Sequence, residues 1–219
     1  MSDMYGIAAQ TTSVAVQTEG NNARLQATRD GALFTNNWYE KLALRGRIVS
    51  ANFGTVTTPL TFLATAANRP DAWVRVPDGT AILPISINIC LEAFAGTVTE
   101  IDVRTAQNDI GNGTSTAASV GPLSLRSDSL FTSGCTARHL ATADTTAETN
   151  PISVYRRTIP TASAAGNDFA GSFVVTREMM GFPVLLGPAT WEVFIAATTT
   201  QATGFVIMTW GEVPESMLT

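Results

Sequence analysis

The chain has 219 residues, of which 45% are apolar and only 14% charged, with a formal charge of -5 and a pI near 4.8. That length suits one large all-β domain, alone or with an arm, and is ample for a hydrophobic core. The acidic balance excludes the concentrated basic face that nucleic acid requires, and no run approaches the ~20 apolar residues that cross a bilayer.

An average soluble protein carries roughly 25% charged residues, so the surface here is unusually uncharged. Such a surface associates, and the expectation is that other subunits cover much of it. Of the thirteen basic residues only Lys41 is a lysine. The arginines are spread singly apart from the Arg156-Arg157 pair, and the planar guanidinium suits partly buried interface pairing. The start, MSDMYGIAAQ, lacks the basic opening and apolar core of a signal peptide, which predicts synthesis in the cytosol and a soluble product. Cys90 and Cys135 are too few for a disulfide framework and read as thiols packed as small apolar groups. The sequon Asn112-Gly113-Thr114 fits a chance occurrence in a Thr-rich chain.

Residues 1–30 are rich in Ala, Thr, Gln and Asn, and only SVAVQT (13–18) alternates like a strand. This predicts an extended N-terminal arm that adds to a neighbouring sheet edge through backbone hydrogen bonds, with a disordered tail as the alternative. Residues 31–219 then form a single domain. Trp38 and Tyr39, in TNNWYEKLALRGR, stand where they would anchor the arm. From residue 45 onward the strand candidates are 47–53, 60–65, 72–76, 81–94, 98–106, 129–133, 152–157, 171–178, 182–187, 191–197 and 205–213. Between them fall PDG, AGT, GNG, VGP, AGN and LGP, in which Gly supplies positive φ and Pro fixes φ near −65°. No amphipathic helix of three turns stands out, and the Ser/Thr/Ala/Gly-rich stretch 107–151 reads as loop excursions. Many short strands without helical alternation predict an antiparallel β-sandwich or barrel, and no internal repeat points to a propeller or solenoid.

The stretch WEVFIAATTTQATGFVIMTW, residues 191–210, reads as a hairpin that is apolar on both strand faces. Trp191, Val193 and Ile195 oppose Glu192, Phe194 and Ala196, while Phe205, Ile207 and Thr209 oppose Val206, Met208 and Trp210. A sandwich core takes one face. At ~25 cal/mol per Å2, exposing the other would forgo several kcal/mol per strand. The expected cover is a second polypeptide, with the chain's own loops as the alternative. Phe194, Val206, Met208 and Trp210 are therefore the expected subunit-interface residues, with Trp38 and Tyr39 as secondary contacts.

Little in the sequence commits to catalysis. Cys135, the single His139 and Asp144 are residue types for a nucleophile, a base and its orienter, without a nucleophile motif around Cys135. A lone histidine and two distant cysteines do not make a standard zinc site, and Asp144 with Glu148 lacks the spacing of an EF-hand loop. Glycoside hydrolysis would need facing carboxylates across an aromatic-lined cleft, for which Glu100 with Asp102, or Glu192 with Glu212, are the candidates. No catalytic residue, cofactor or metal ligand is assigned. A glycan-binding tip would want aromatics on the 107–151 loops, where Phe131 is the only large one.

NNWYEKLALRGRIVSANFG, residues 36–54, resembles a pattern in virion proteins of tailed bacteriophages: aromatic-Tyr-Glu, a few residues, Arg-Gly, then a strand ending in Ser-Ala. VRVPDGTAILPISINICLEAFAGTVTEIDV, residues 74–103, is similar to the same group, with a Pro-x-Gly-Thr turn into a long strand and an Ala-Gly-Thr turn into the next. Together they cover about a quarter of the chain. The resemblance implies a jelly-roll-like sandwich and a non-enzymatic capsid decoration or cement protein. It would be a homotrimer made in the host cytoplasm, bound in the virion to the major capsid protein or other virion proteins, with no nucleic-acid or membrane partner. The single Lys41 departs from the lysine-bearing outer face expected of such proteins, so a tail or neck role stays open, as does a receptor- or glycan-binding fibre module.

Overall fold

The computed structural model describes residues 38–63, 69–93, 98–141, 146–159, 171–197 and 201–218. The expected arm, residues 1–30, and Asp144 lie outside the described residues. The chain divides into two compact units, Met1–Lys41 and Leu42–Thr219. Within the first, the rings of Trp38 and Tyr39 meet edge to face with centroids 6.0 Å apart, and both side chains are partly exposed.

Helix α1 (Trp38–Leu44) is an element that the sequence reading did not anticipate, and it spans only seven residues. Its end is fixed by backbone chemistry. Gly46 takes φ +67°, its N–H donates to Ala43 O, and the Arg47 N–H donates to Leu42 O, the paired closure that a left-handed glycine permits. The chain leaves this turn directly into the first strand.

The second unit is an antiparallel two-sheet sandwich. In the first sheet, β10 (Gly171–Thr176), β4 (Thr80–Ala93), β13 (Thr203–Pro214), β1 (Ile48–Phe53) and β7 (Val120–Ser124) lie side by side in that order. β11 (Leu185–Leu186) pairs with β4, and β2 (Leu60–Thr61) pairs with β13. The second sheet runs β6 (Thr116–Ala117), β8 (Thr136–His139), β3 (Ala72–Val76), β12 (Ala189–Ala197), β5 (Thr99–Ala106) and β9 (Ile152–Ile159). With the edge additions β2, β6, β7, β8 and β11 set aside, eight strands remain. The first of them pairs with the last, β1 with β13; then β3 pairs with β12, β4 with β10 and β5 with β9. A long hairpin folded over on itself has this pairing.

Alternation fills the space between the sheets. Val206, Met208 and Trp210 of β13 and Trp191, Val193 and Ile195 of β12 point inward, together with Ile87 and Ile89 of β4 and Val74 of β3. Each is sealed from solvent, and burying one such side chain stabilises the fold by ~1.5–3 kcal/mol. Pro84 sits inside the long strand β4 without breaking it. On one side it faces a bulge, since Thr209 pairs with Ser86 and Trp210 with Pro84. On the other it falls in the gap between β10, which ends its pairing at Ser86, and β11, which begins at Ile82. Its missing N–H therefore costs no ladder bond. Asp71, fully buried, ties the connection before β3 to the sheet by accepting the N–H of Leu63 at 2.7 Å and of Ile195 at 2.6 Å.

Several expectations are corrected here. β12 and β13 are not a hairpin: they lie in opposite sheets. Val206, Met208 and Trp210 are not interface residues, because each is 0% exposed within the chain's own core. Residues 129–133 are irregular rather than a strand, 182–187 reduces to the two residues of β11, and the supposed loop region 107–151 contributes β6, β7 and β8. Among the described residues no helix is long and apolar enough to cross a membrane.

The core assignment of Trp210 is testable. Trp210→Ala is expected to lower the unfolding free energy in urea by about 3–5 kcal/mol, the cost of a large buried cavity. The mass of the remaining folded protein should not change, whereas an interface residue would do the reverse.

Candidate functional site

The residues that suggested chemistry are dispersed. Cys135 lies just before β8 and His139 ends it, so four strand steps of ~3.3 Å place them about 13 Å apart along one strand. Both are buried. Burial pushes the Cys135 thiol up, and the neighbouring Glu212 carboxylate adds to this, the opposite of an activated nucleophile. His139 packs its ring edge-on to Phe53, with centroids 6.4 Å apart, and burial holds it below the usual imidazole range. Among the described residues no three His, Cys, Asp or Glu side chains converge as metal ligands.

Of the two carboxylate pairs, Glu192 and Glu212 are separated, while Glu100 and Asp102 share one face of β5. Glu212 belongs to the first sheet, where it accepts from Ser133 Oγ at 2.5 Å, Gly134 N–H at 2.7 Å and Trp210 Nε1 at 3.4 Å. It pins the 129–135 connection against β13. Glu192 belongs to the second sheet, so the two share no groove. Glu100 is exposed, while Asp102 accepts from Arg104 Nε at 2.7 Å and Arg156 Nη2 at 2.9 Å. Burial alone would raise the Asp102 carboxyl, but the two guanidinium groups outweigh it and hold it below the usual carboxylate range. Phe131 is also engaged, lying partly buried with the Arg47 guanidinium 4.7 Å over its ring.

The outer side of β12, expected to be covered by a second polypeptide, is roofed by the chain itself. Thr190 Oγ1 donates to Asn108 O at 2.7 Å and accepts from Ile110 N–H at 3.4 Å, which straps the 107–111 segment over the strand. Ile110, Trp73 and Ala141 form a small apolar cluster on this face. Phe194 is 8% exposed beneath the Arg104 guanidinium, 4.4 Å from its ring. Glu192 lies in register with Trp73 on one side and Arg104 on the other. It is 0% exposed, and neither of its oxygens has a hydrogen-bond partner among the described residues. Its carboxyl is pushed far up, first by burial and then by the nearby Glu148, with Arg104 opposing. Glu148 reaches Arg104 Nη1 at 3.5 Å, closing the roof. The apolar outer face of β12 therefore gives no reason to infer a neighbour.

The outer face of the first sheet differs. At one end Leu42 of α1 covers it, packing with Ile48, Ala81 and Val213, and Gly211 leaves the room: a Cβ there would lie 2.7 Å from Leu42 Cδ1. Beyond Leu42 the face is half-buried, and Asn88 Oδ1 is shielded from solvent. β1 presents Ser50 and Asn52, β4 presents Ser86, Asn88 and Cys90, and β13 presents Phe205, Ile207 and Thr209, all half-buried. β10 adds Ser172, Val174 and Thr176, and β7 adds Leu123 opposite Ser50. None of these side chains is charged, and the nearest carboxylate is Glu92, exposed on β4 beside Cys90. Sequence reasoning found Phe205 and Ile207 as an apolar face but assigned the opposite face to the partner.

A protonated Glu192 makes stability pH-dependent. Its folded carboxyl sits above the unfolded value near 4.5, so the folded state keeps a proton that the unfolded chain releases. Burial likewise raises Asp71 from 3.8 to about 7. Stability contributed by these protons is complete below the unfolded values and is lost as pH rises through the folded ones. The midpoint of urea unfolding is expected to fall between pH 5 and 9, and Glu192→Gln to flatten that slope and raise the melting temperature at pH 9 by about 2–4 °C for each kcal/mol recovered. Compared with known proteins, the chain matches no family model, no curated protein and no solved structure, so its own geometry carries the functional reading.

Proposed function

We propose that this chain is a non-enzymatic virion structural protein, a capsid decoration or cement protein that associates with copies of itself as a trimer and binds the major capsid protein. The observation that carries the reading is the half-buried outer face of the first sheet, centred on Ile207, where charge is confined to Glu92 at its margin. Each copy that seats on a shell through such a face removes apolar area from water, and repeated copies convert weak contacts into avidity. Its phage attribution rests on the resemblance of residues 36–54 and 74–103. The rolled pairing of eight strands, first with last, supports a jelly-roll wiring, since two Greek keys rolled together pair strands in that way. Burial of Cys135 and His139 and the engagement of Asp102 and Glu212 in structural contacts favour a role without catalysis.

The fibre-tip alternative loses support, because Phe131 is held under Arg47 and is not presented to a sugar.

Light scattering on the eluting protein is expected to give a trimer at micromolar concentration, and sedimentation with purified capsids to give co-pelleting. Ile207→Lys, on that outer face, should leave the fold intact and weaken capsid binding by at least about tenfold, equivalent to 1.4 kcal/mol. A stable monomer that leaves capsids bare sinks the reading.

A further inference from the structure

The sandwich has four edges, and three of them are protected against adding a strand. β6 is two residues long, β7 carries Pro122, and β9 carries Arg156 and Arg157. Shortness, proline and charge are the devices by which sheets avoid pairing with a neighbour. β10 has none of them. Its sequence, GSFVVT, has no charge and no proline, its residues favour strands, and among the described residues only β4 pairs with it.

We propose that β10 pairs with β10 of a second copy, antiparallel about a two-fold axis through Val174, so that the first sheet continues from one subunit into the next. This deepens the self-association reading, and rests on it for the presence of a second copy.

The strand is complementary to itself in this register. Residues opposite one another across an antiparallel pair lie on the same face, and a two-fold axis makes each contact reciprocal. Centring on Val174 sets Val174 opposite the partner's Val174, and Ser172 opposite the partner's Thr176. Both pairs lie on the outer face, where Ser172 and Val174 are exposed, so the uncharged surface runs on unbroken across the contact. On the inner face Phe173 meets the partner's Val175, an aromatic and β-branched pair of the kind that stabilises sheets. Phe173 is already held in place by the Arg157 guanidinium, 4.4 Å over its ring. The connection from β10 to β11 extends the apolar margin with Met179, Phe182 and Val184, each about half exposed. The arginines of β9 keep the second sheet from joining as well, which limits the contact to one strand pair.

The test uses the full chain with V174K and V174E, whose altered side chain points outward. Each alone places like charges opposite one another on the axis. Two of the proposed trimers joined in this way make a hexamer, the expected parent mass at about 100 μM, and each variant is expected to stay a trimer and to raise the dissociation constant at least about tenfold. An equimolar mixture of the two is expected to restore the parent mass, because Lys then faces Glu, a rescue that loss of fold or a contact elsewhere would not give. Independently of any variant, the outward-facing amides of β10 in the parent chain should exchange with deuterium slowly in concentrated solution and quickly on dilution. A parent chain that goes no further than a trimer at about 100 μM, variants with the parent's mass, a mixture that fails to recover it, or β10 amides indifferent to dilution would each overturn the pairing. None of these results touches capsid binding, which the Ile207→Lys experiment reads separately.

Discussion

The pairing of β13 with both β1 and β4 is the constraint on which the rest of the molecule depends. On one side the six residues of β1 run in register with Val206 to Gly211 of β13, and on the other β13 follows β4 from Thr80 to Ala93. The central strand is thereby paired along both of its edges, and one of its faces supplies Val206, Met208 and Trp210 to the core. Because strand side chains alternate strictly, fixing that inward set also fixes the outward one. The outer face carrying Phe205, Ile207 and Thr209 is thus a geometric consequence of how the core is filled, and a one-residue slip of β13 would exchange the two.

The two sheets treat their outer faces differently, and local chemistry explains how. Over the second sheet, Thr190 straps down the 107–111 segment, Arg104 covers Phe194, and a buried carboxyl at Glu192 is tolerated by staying neutral. Over the first sheet, the one cover of its own that packs on it among the described contacts is the end of α1 at Leu42. The remainder is half-buried and mixes Ser, Thr and Asn with Phe205 and Ile207.

Much of the fold was legible in the residues and some of it was not. The runs at 72–76, 81–94, 98–106, 152–157, 191–197 and 205–213 carry enough β-branched and aromatic residues to be strands wherever they pack. β7 and β8 escaped notice because VGPLS and TARH have too few apolar residues to show a period, and their partners at Ser50 and Trp73 lie far away in sequence. The faces of β13 were ambiguous because both are apolar, and only tertiary packing selects the one with Trp210, whose Nε1 reaches Glu212. Adjacency in sequence suggested that β12 and β13 pair, yet the two lie in opposite sheets. Glu192 read as a wet strand position, and its burial depends on Glu148 and Trp73, which no local pattern brings together. The scarcity of charge on the outer face was visible only as a low total, since composition does not say where the few charges go.

The rolled pairing also governs how this chain is made. β1 and β4 emerge from the ribosome more than a hundred residues before β13, so the space between them in the first sheet stays vacant during most of synthesis. During that interval the facing margins of β1 and β4 lack their partner and are open to the wrong neighbour. Closure by the final long strand turns a vulnerable nascent chain into a sealed particle in one late step.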